Sequence, residues 1–152
     1  MQYQAVVFDM DGVIFDTERL VIEFWKEVAK KHNIPNVEHT CIQCLGTNRV
    51  RTREIFLENY GADFPFDPYR AEVTELFNTH YKGVPLPTKP GVRELLSYLQ
   101  EQDIKVGLAS STAQHLVRDE IGTAGLLPYF QTLVCGDMVE HSKPAPDILS
   151  LI

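Results

Sequence analysis

Apolar residues run together at three places in this chain and recur at helical spacing through most of the rest. Ala5-Val6-Val7-Phe8, Lys105-Val106-Gly107-Leu108-Ala109 and Thr132-Leu133-Val134-Cys135 are short, mostly apolar runs, the pattern of strands buried on both faces. After the first run, Leu20, Phe24, Trp25 and Val28 return every three or four positions and predict a helix to about His32. Asp16 or Thr17 can cap its start, and it stops before Ile34-Pro35 because the residue preceding proline resists helix. The pattern stays helical with turns to about Tyr81. One helix is expected from Asn48 to Tyr60, with Gly61 as its C-cap. A second follows the Pro-rich break Phe64-Pro65-Phe66-Asp67-Pro68, from about Tyr69 to Tyr81. The stretch from Gly83 to Gly91 reads as a linker. Beyond it Val92, Leu95, Leu96 and Leu99 make an apolar stripe at helical spacing, and a further helix is expected from about Ala113 to Thr123.

Strands alternating with helical crossovers imply an α/β fold, a three-layer parallel, Rossmann-like sheet with right-handed connections. No second strand pattern interrupts residues 16–83, so these are expected to form a small all-helical insert after the first strand. Residues 1–15 and 84–152 are then the two parts of a discontinuous α/β core.

Composition narrows the functional classes. Among 152 residues, 14 Lys+Arg face 21 Asp+Glu, for a net charge of −7. No basic stripe is visible, so nucleic acid is not an expected partner. No apolar stretch approaches the roughly 20 residues of a membrane span, and no signal-peptide core follows Met1. Membrane association is therefore not expected, and a cytoplasmic location is, with the three cysteines reduced. Cys41 and Cys44 form a Cys-x-x-Cys beside His39. Without a second pair or a redox-type strand–turn–helix setting, they read as ordinary helical cysteines, and Cys135 reads as a strand cysteine.

The chemistry sits at the strand ends. Asp9 and Asp11 follow the first strand, with Gly12 allowing a tight turn behind them. Ser110 and Ser111 follow the second strand, and Lys143 comes shortly after the third. In a parallel sheet all three ends share one edge, where ligands bind. Such a set suits phosphoryl transfer. One carboxylate attacks phosphorus, and a second protonates the leaving oxygen and then activates water. A hydroxyl and backbone N–H groups at a helix start hold phosphoryl oxygens, and a lysine offsets the accumulating negative charge. Two carboxylates meeting an anionic substrate also imply a hard cation, Mg²⁺ on oxygen ligands.

The string Asp9-Met10-Asp11-Gly12-Val13, with Asp16-Thr17-Glu18 behind it, resembles the first motif of the haloacid dehalogenase superfamily. Leu108-Ala109-Ser110 resembles the second motif. Gly136-Asp137 through Ser142-Lys143-Pro144-Ala145-Pro146-Asp147 resembles the third, and the helical insert is similar to the family's α-helical cap. The resemblance implies that Asp9 is the nucleophile and a Mg²⁺ ligand. It implies that Asp11 is the general acid/base, with its backbone carbonyl also facing the metal, that Ser110 binds the phosphoryl group and that Lys143 steadies it. Gly12 and Ser111 are assigned to substrate binding beside them.

Dehalogenating members do not carry the second carboxylate, so Asp11 points to phosphate chemistry on a small phosphorylated metabolite. Gly46-Thr47-Asn48-Arg49 resembles the cap loop whose glycine and arginine grip a sugar phosphate in beta-phosphoglucomutases, which adds Gly46 and Arg49 as substrate-binding candidates. The first cap helix lacks the histidine that mutases carry there, and a phosphatase is the favoured reading. A phosphohexomutase of the same fold is the alternative. The family's fourth motif, a strand followed by an acidic pair, is expected beyond Lys143, and the chain ends nine residues after that lysine. It therefore reads as truncated before that motif, with a hydrophobic strand edge left unpaired that self-association could cover. A non-catalytic protein acting by association is the third reading.

Overall fold

The computed structural model describes residues 3–47, 49–141 and 143–152; Asn48 and Ser142 of the strings above lie outside the described residues. The chain divides into two compact units, Met1–Thr17 with Gly83–Ile152, and Glu18–Lys82.

The first unit is built on three parallel strands in the order β1-β2-β3: β1 (Ala5–Phe8), β2 (Lys105–Ala109) and β3 (Thr132–Val134). The register pairs Val7 with Gly107 and Phe8 with Leu108, then Leu108 with Leu133 and Ala109 with Val134. The central run is sandwiched, with Val106, Leu108 and Ala109 buried, and Val134 is buried on β3; β1, expected to be buried on both faces, buries only Phe8, because among the described residues no strand pairs with its other side. α5 (Val92–Glu101) leads into β2, and α6 (Gln114–Thr123) joins β2 to β3. Right-handed crossovers along a one-way strand order put both helices on one face. The opposite face carries Gly107 and Ala109. Ile148 of α7 (Asp147–Ser150) packs with Ala109 and Val134. A Cβ on Gly107 would come within 3.0 Å of the Ile152 side chain, so the glycine makes room for the last residue. Among the described residues β1 pairs on one side only, and Val7 is partly exposed there.

The third strand closes one residue earlier than its apolar run predicts. Cys135 leaves the ladder to start the 3-10 turn Gly136–Met138, yet it stays fully buried. α6 begins at Gln114, with Ala113 extended before it.

The two passages into and out of the helical insert run side by side. Phe15 and Thr88 form an antiparallel bridge. Asp16 donates its N–H to Pro87 O at 3.0 Å, and Lys89 donates its own to Ile14 O at 2.8 Å. The Lys89 ammonium closes the neck on Asp16 at 2.7 Å. Phe15 and Ile14 are fully buried at its base.

In the second unit, α1 (Thr17–His32), α2 (Val37–Gln43), α3 (Arg49–Tyr60) and α4 (Phe66–Tyr81) gather around an aromatic centre. Phe56 lies 4.5 Å from Trp25 and 5.1 Å from Phe66 between ring centroids, and both phenylalanines are almost completely buried. α4 starts at Phe66, three residues before the sequence expectation. Pro68 is tolerated there because the N–H groups of a first turn have no helical partner to lose. Cys41 is buried on α2 and Cys44 caps its end. Burial pushes the Cys41 thiol up to about 12, which keeps it protonated and unreactive.

Candidate active site

Asp9 is the first residue beyond β1, where the strand leaves the sheet at its carboxyl edge. A tight turn follows. Met10 is wholly buried and its carbonyl accepts N–H bonds from Ile14 at 2.9 Å and Phe15 at 3.1 Å. Gly12 takes a left-handed φ of 72° within this turn, a conformation that a side chain would strain. The loop holds Asp9 and Asp11 on the exposed side while Met10, between them, anchors it to the core. Thr17, a candidate cap from the sequence, turns its hydroxyl oxygen toward the carboxylate loop. The Oγ1 accepts the Gly12 N–H at 3.1 Å and ties the helix start back to the carboxylate loop. Gly12, assigned from sequence to substrate binding, thereby has its N–H engaged internally.

Lys143 reaches the same edge from beyond β3. Its Nζ lies 2.9 Å from Asp9 Oδ1 and donates to Ala109 O at 3.1 Å. The Ala109 carbonyl at the end of β2 therefore aims the ammonium at the first carboxylate. Asp9 also accepts the Met10 N–H at 2.8 Å on the same oxygen. Its side chain stays 46% exposed, so one face of the carboxylate remains open to an incoming group.

Ser110 follows Ala109 and is completely buried. Its Oγ accepts the Thr112 N–H at 3.1 Å, which leaves the hydroxyl proton to donate. Ser111 is exposed. The N–H groups at the start of α6, expected to meet phosphoryl oxygens, are partly committed elsewhere. Gln114 N donates to Asp137 Oδ1 at 2.9 Å, and Leu116 and Val117 both donate to Ala113 O at 3.1 Å. The α6 cap is thus supplied by a carboxylate 23 positions later.

Two residues with no assigned role in the sequence reading hold these loops together. Thr112 Oγ1 donates to Asp11 Oδ2 at 3.2 Å. Gly136 N donates to Thr112 O at 3.0 Å, and a Cβ on Gly136 would fall 2.2 Å from Ser111 O. Only glycine allows that approach. Glu120 on α6 lies within electrostatic reach of Asp11. Burial first, then the charges of Asp11 and Asp119, push its carboxyl up to about 7.

Asp9, Asp11, Gly12, Ser110, Ser111 and Lys143 all belong to the first unit, and bonds within it link the loops that carry them. Gly46 and Arg49 belong to the helical unit. Gly46 has a φ of 73° with open space around it, so backbone conformation rather than crowding calls for glycine. The Arg49 guanidinium is 3.4 Å from Asp67 Oδ1, and Arg53 Nε donates to the other oxygen of that carboxylate at 3.2 Å. Among the described residues no group of three His, Cys, Asp or Glu side chains could hold a metal ion on its own, and no helix is long and apolar enough to cross a membrane.

A sequence profile described as haloacid dehalogenase-like hydrolase matches residues 6–152. The chain belongs to this family. Within it, the chain is 32% identical over 149 residues to a phosphorylated carbohydrates phosphatase from Thermotoga maritima, covering 98% of this chain and 68% of that protein. It is also 32% identical over 155 residues to the beta-phosphoglucomutase of Bacillus subtilis, covering 95% of this chain and 66% of that enzyme. A crystal structure of a proposed beta-phosphoglucomutase from Thermotoga maritima superposes with a TM-score of 0.73 at 32% identity. That alignment covers 98% of this chain and 68% of the other. The haloacid dehalogenase-like chain thus spans about two thirds of the length of these relatives.

Proposed function

We propose that this haloacid dehalogenase-like chain carries the reacting groups of a Mg²⁺-dependent phosphatase acting on a small phosphorylated metabolite such as a sugar phosphate. The observation that carries the reading is the Lys143 ammonium, held by Ala109 O and set 2.9 Å from Asp9 Oδ1. A cation at that distance offsets charge on the nucleophile and on a phosphoryl group meeting it. The phosphatase among the similar proteins supports the hydrolytic outcome.

In the first step an Asp9 oxygen bonds to phosphorus as the bond to the leaving oxygen breaks, and Asp11 gives that oxygen its proton. In the second step Asp11 takes a proton from water. The water oxygen bonds to phosphorus, the bond to Asp9 breaks, and inorganic phosphate leaves with both carboxylates restored. Ser110 donates its hydroxyl proton to a phosphoryl oxygen, with Gly12 and Ser111 lining the approach.

Mg²⁺ is usually bound through one or two carboxylates, with water and substrate phosphate filling the remaining positions. The exposed Asp9 carboxylate and the backbone carbonyl of Asp11, two residues apart on one strand-end loop, fit that mode as the ligands, and the Asp11 carboxylate is left to the proton transfer. When bound, the ion supplies positive charge that screens two carboxylates from an anionic substrate.

A second reading, a phosphohexomutase, is favoured by the similarity to the Bacillus subtilis enzyme. In it Gly46 and Arg49 would grip the sugar phosphate, Arg49 exchanging Asp67 for the ligand. The test is phosphate release from a panel of sugar phosphates with and without Mg²⁺, alongside analysis of the recovered sugar phosphate. Mg²⁺-dependent phosphate release that Asp9→Asn abolishes supports the phosphatase. Isomerised sugar phosphate without phosphate release supports the mutase. Full activity in Asp9→Asn overturns both.

A further inference from the structure

Thr112 is bonded to all three strand-end loops at once. Its N–H donates to Ser110 Oγ at 3.1 Å, its carbonyl accepts the Gly136 N–H at 3.0 Å, and its hydroxyl donates to Asp11 Oδ2 at 3.2 Å. A threonine just before a helix ordinarily spends its hydroxyl on the helix N-terminus. Here that duty is taken by Asp137, which caps Gln114 N, and the Thr112 hydroxyl is turned across the site instead. Its backbone is pinned at both polar atoms, and its branched side chain has little χ1 freedom. The hydroxyl therefore projects from a fixed point.

Asp11 needs such a point. It sits on an exposed turn next to a glycine in the left-handed region, where a short carboxylate side chain has several rotamers within reach. An acid/base group must hold one of them within hydrogen-bond reach of the proton that it moves. We infer that Thr112 is the positioning residue for Asp11. It holds Oδ2 toward the end of β2, so that the other carboxylate oxygen gives the proton to the leaving group and later takes one from water. The inference rests on the acid/base role proposed above for Asp11. It adds the residue that makes that role geometrically possible and links it to the phosphoryl-binding serine through two adjacent peptide units.

The test is Thr112→Val, which keeps both backbone bonds and the branched shape but loses the hydroxyl, with Thr112→Ser as the conservative variant. Each is assayed with Mg²⁺ on an alkyl phosphate, whose leaving oxygen requires a proton, and on p-nitrophenyl phosphate, whose leaving group requires little protonation. Melting curves are recorded beside them. Thr112→Val should lower kcat/KM for the alkyl phosphate about tenfold or more, the scale of lost acid catalysis, and lower it much less for the aryl ester. KM should stay within about twofold, melting should be unchanged, and Thr112→Ser should recover most of the loss. An equal loss on both esters, or no loss, overturns the inference while leaving the phosphatase reading in place. Phosphate release from wild type that is independent of Asp9 removes the phosphatase reading, and the inference falls with it.

Discussion

Gly136→Ala tests whether the serine loop is held by close packing of one backbone on another. The new methyl would lie 2.2 Å from Ser111 O, 2.7 Å from its carbonyl carbon and 3.3 Å from its Cα. All three are backbone atoms, so no side chain can swing away. Reaching even the 3.0 Å floor of real Cβ contacts moves Ser111 and Gly136 apart by at least 0.8 Å. That shift also stretches the Gly136 N–H bond to Thr112 O, now 3.0 Å. Overpacking of this kind costs about 1–3 kcal/mol, and in a chain of this size each kcal/mol lowers the melting temperature by roughly 2–4 °C. Ser110 and Thr112 flank the displaced peptide, and misplacement of reacting groups by about 1 Å can cost on the order of 100-fold in rate. The assay is Mg²⁺-dependent phosphate release with a melting curve on the same sample. The expected outcome is a modest loss of melting temperature with a kcat loss far larger than unfolding at the assay temperature explains. Wild-type kcat and wild-type melting together would refute the packing argument.

Two further outcomes follow from other parts of the chain. Glu120 has its carboxyl raised to about 7, so the folded state holds that proton more tightly than the unfolded chain does. Its contribution to stability is present below about pH 4.5 and is lost as pH rises toward 7. In EDTA, Glu120→Gln should therefore melt higher than wild type at pH 8 and equally at pH 4; a constant offset at both values would contradict this. Phe56→Ala removes the ring between Trp25 and Phe66 and should cost about 3–5 kcal/mol, read as loss of the tryptophan fluorescence transition at low urea. An unchanged urea midpoint would show that the aromatic centre contributes little.

How much could be read in advance depended on whether a residue's job was done by its own side chain. The three strands were visible because parallel strands read as continuous apolar runs, and the gathering of Asp9, Asp11, Ser110 and Lys143 because residues that follow such runs share one sheet edge. α2, seven residues long, is too short to show a period, and the start of α4 was hidden by a proline that a first turn accepts. The tasks of Thr112, Gly136 and Asp137 were not legible, although Gly136 and Asp137 open the third motif string. Thr112 meets Asp11 across 101 positions, and Asp137 caps a helix 23 positions before it. A threonine before a helix reads locally as that helix's own cap, and Gly136 matters only because another loop's carbonyl lies against it.

The neck formed by residues 14–16 and 87–89 has a consequence for how such a chain can change. Entry to and exit from the helical unit are bonded to each other within the α/β unit, so the ends of the insertion are joined whatever lies between them. The entropy of closing that loop grows only slowly with its length, about 0.6 kcal/mol for each doubling. A longer, shorter or quite different helical segment could be spliced in at Thr17 and Gly83 with the Phe15–Thr88 bridge and the Lys89–Asp16 pair unaltered. The strand-end residues would then serve as a fixed socket, and the insertion as an exchangeable part that evolution or a designer can replace without rebuilding the chemistry.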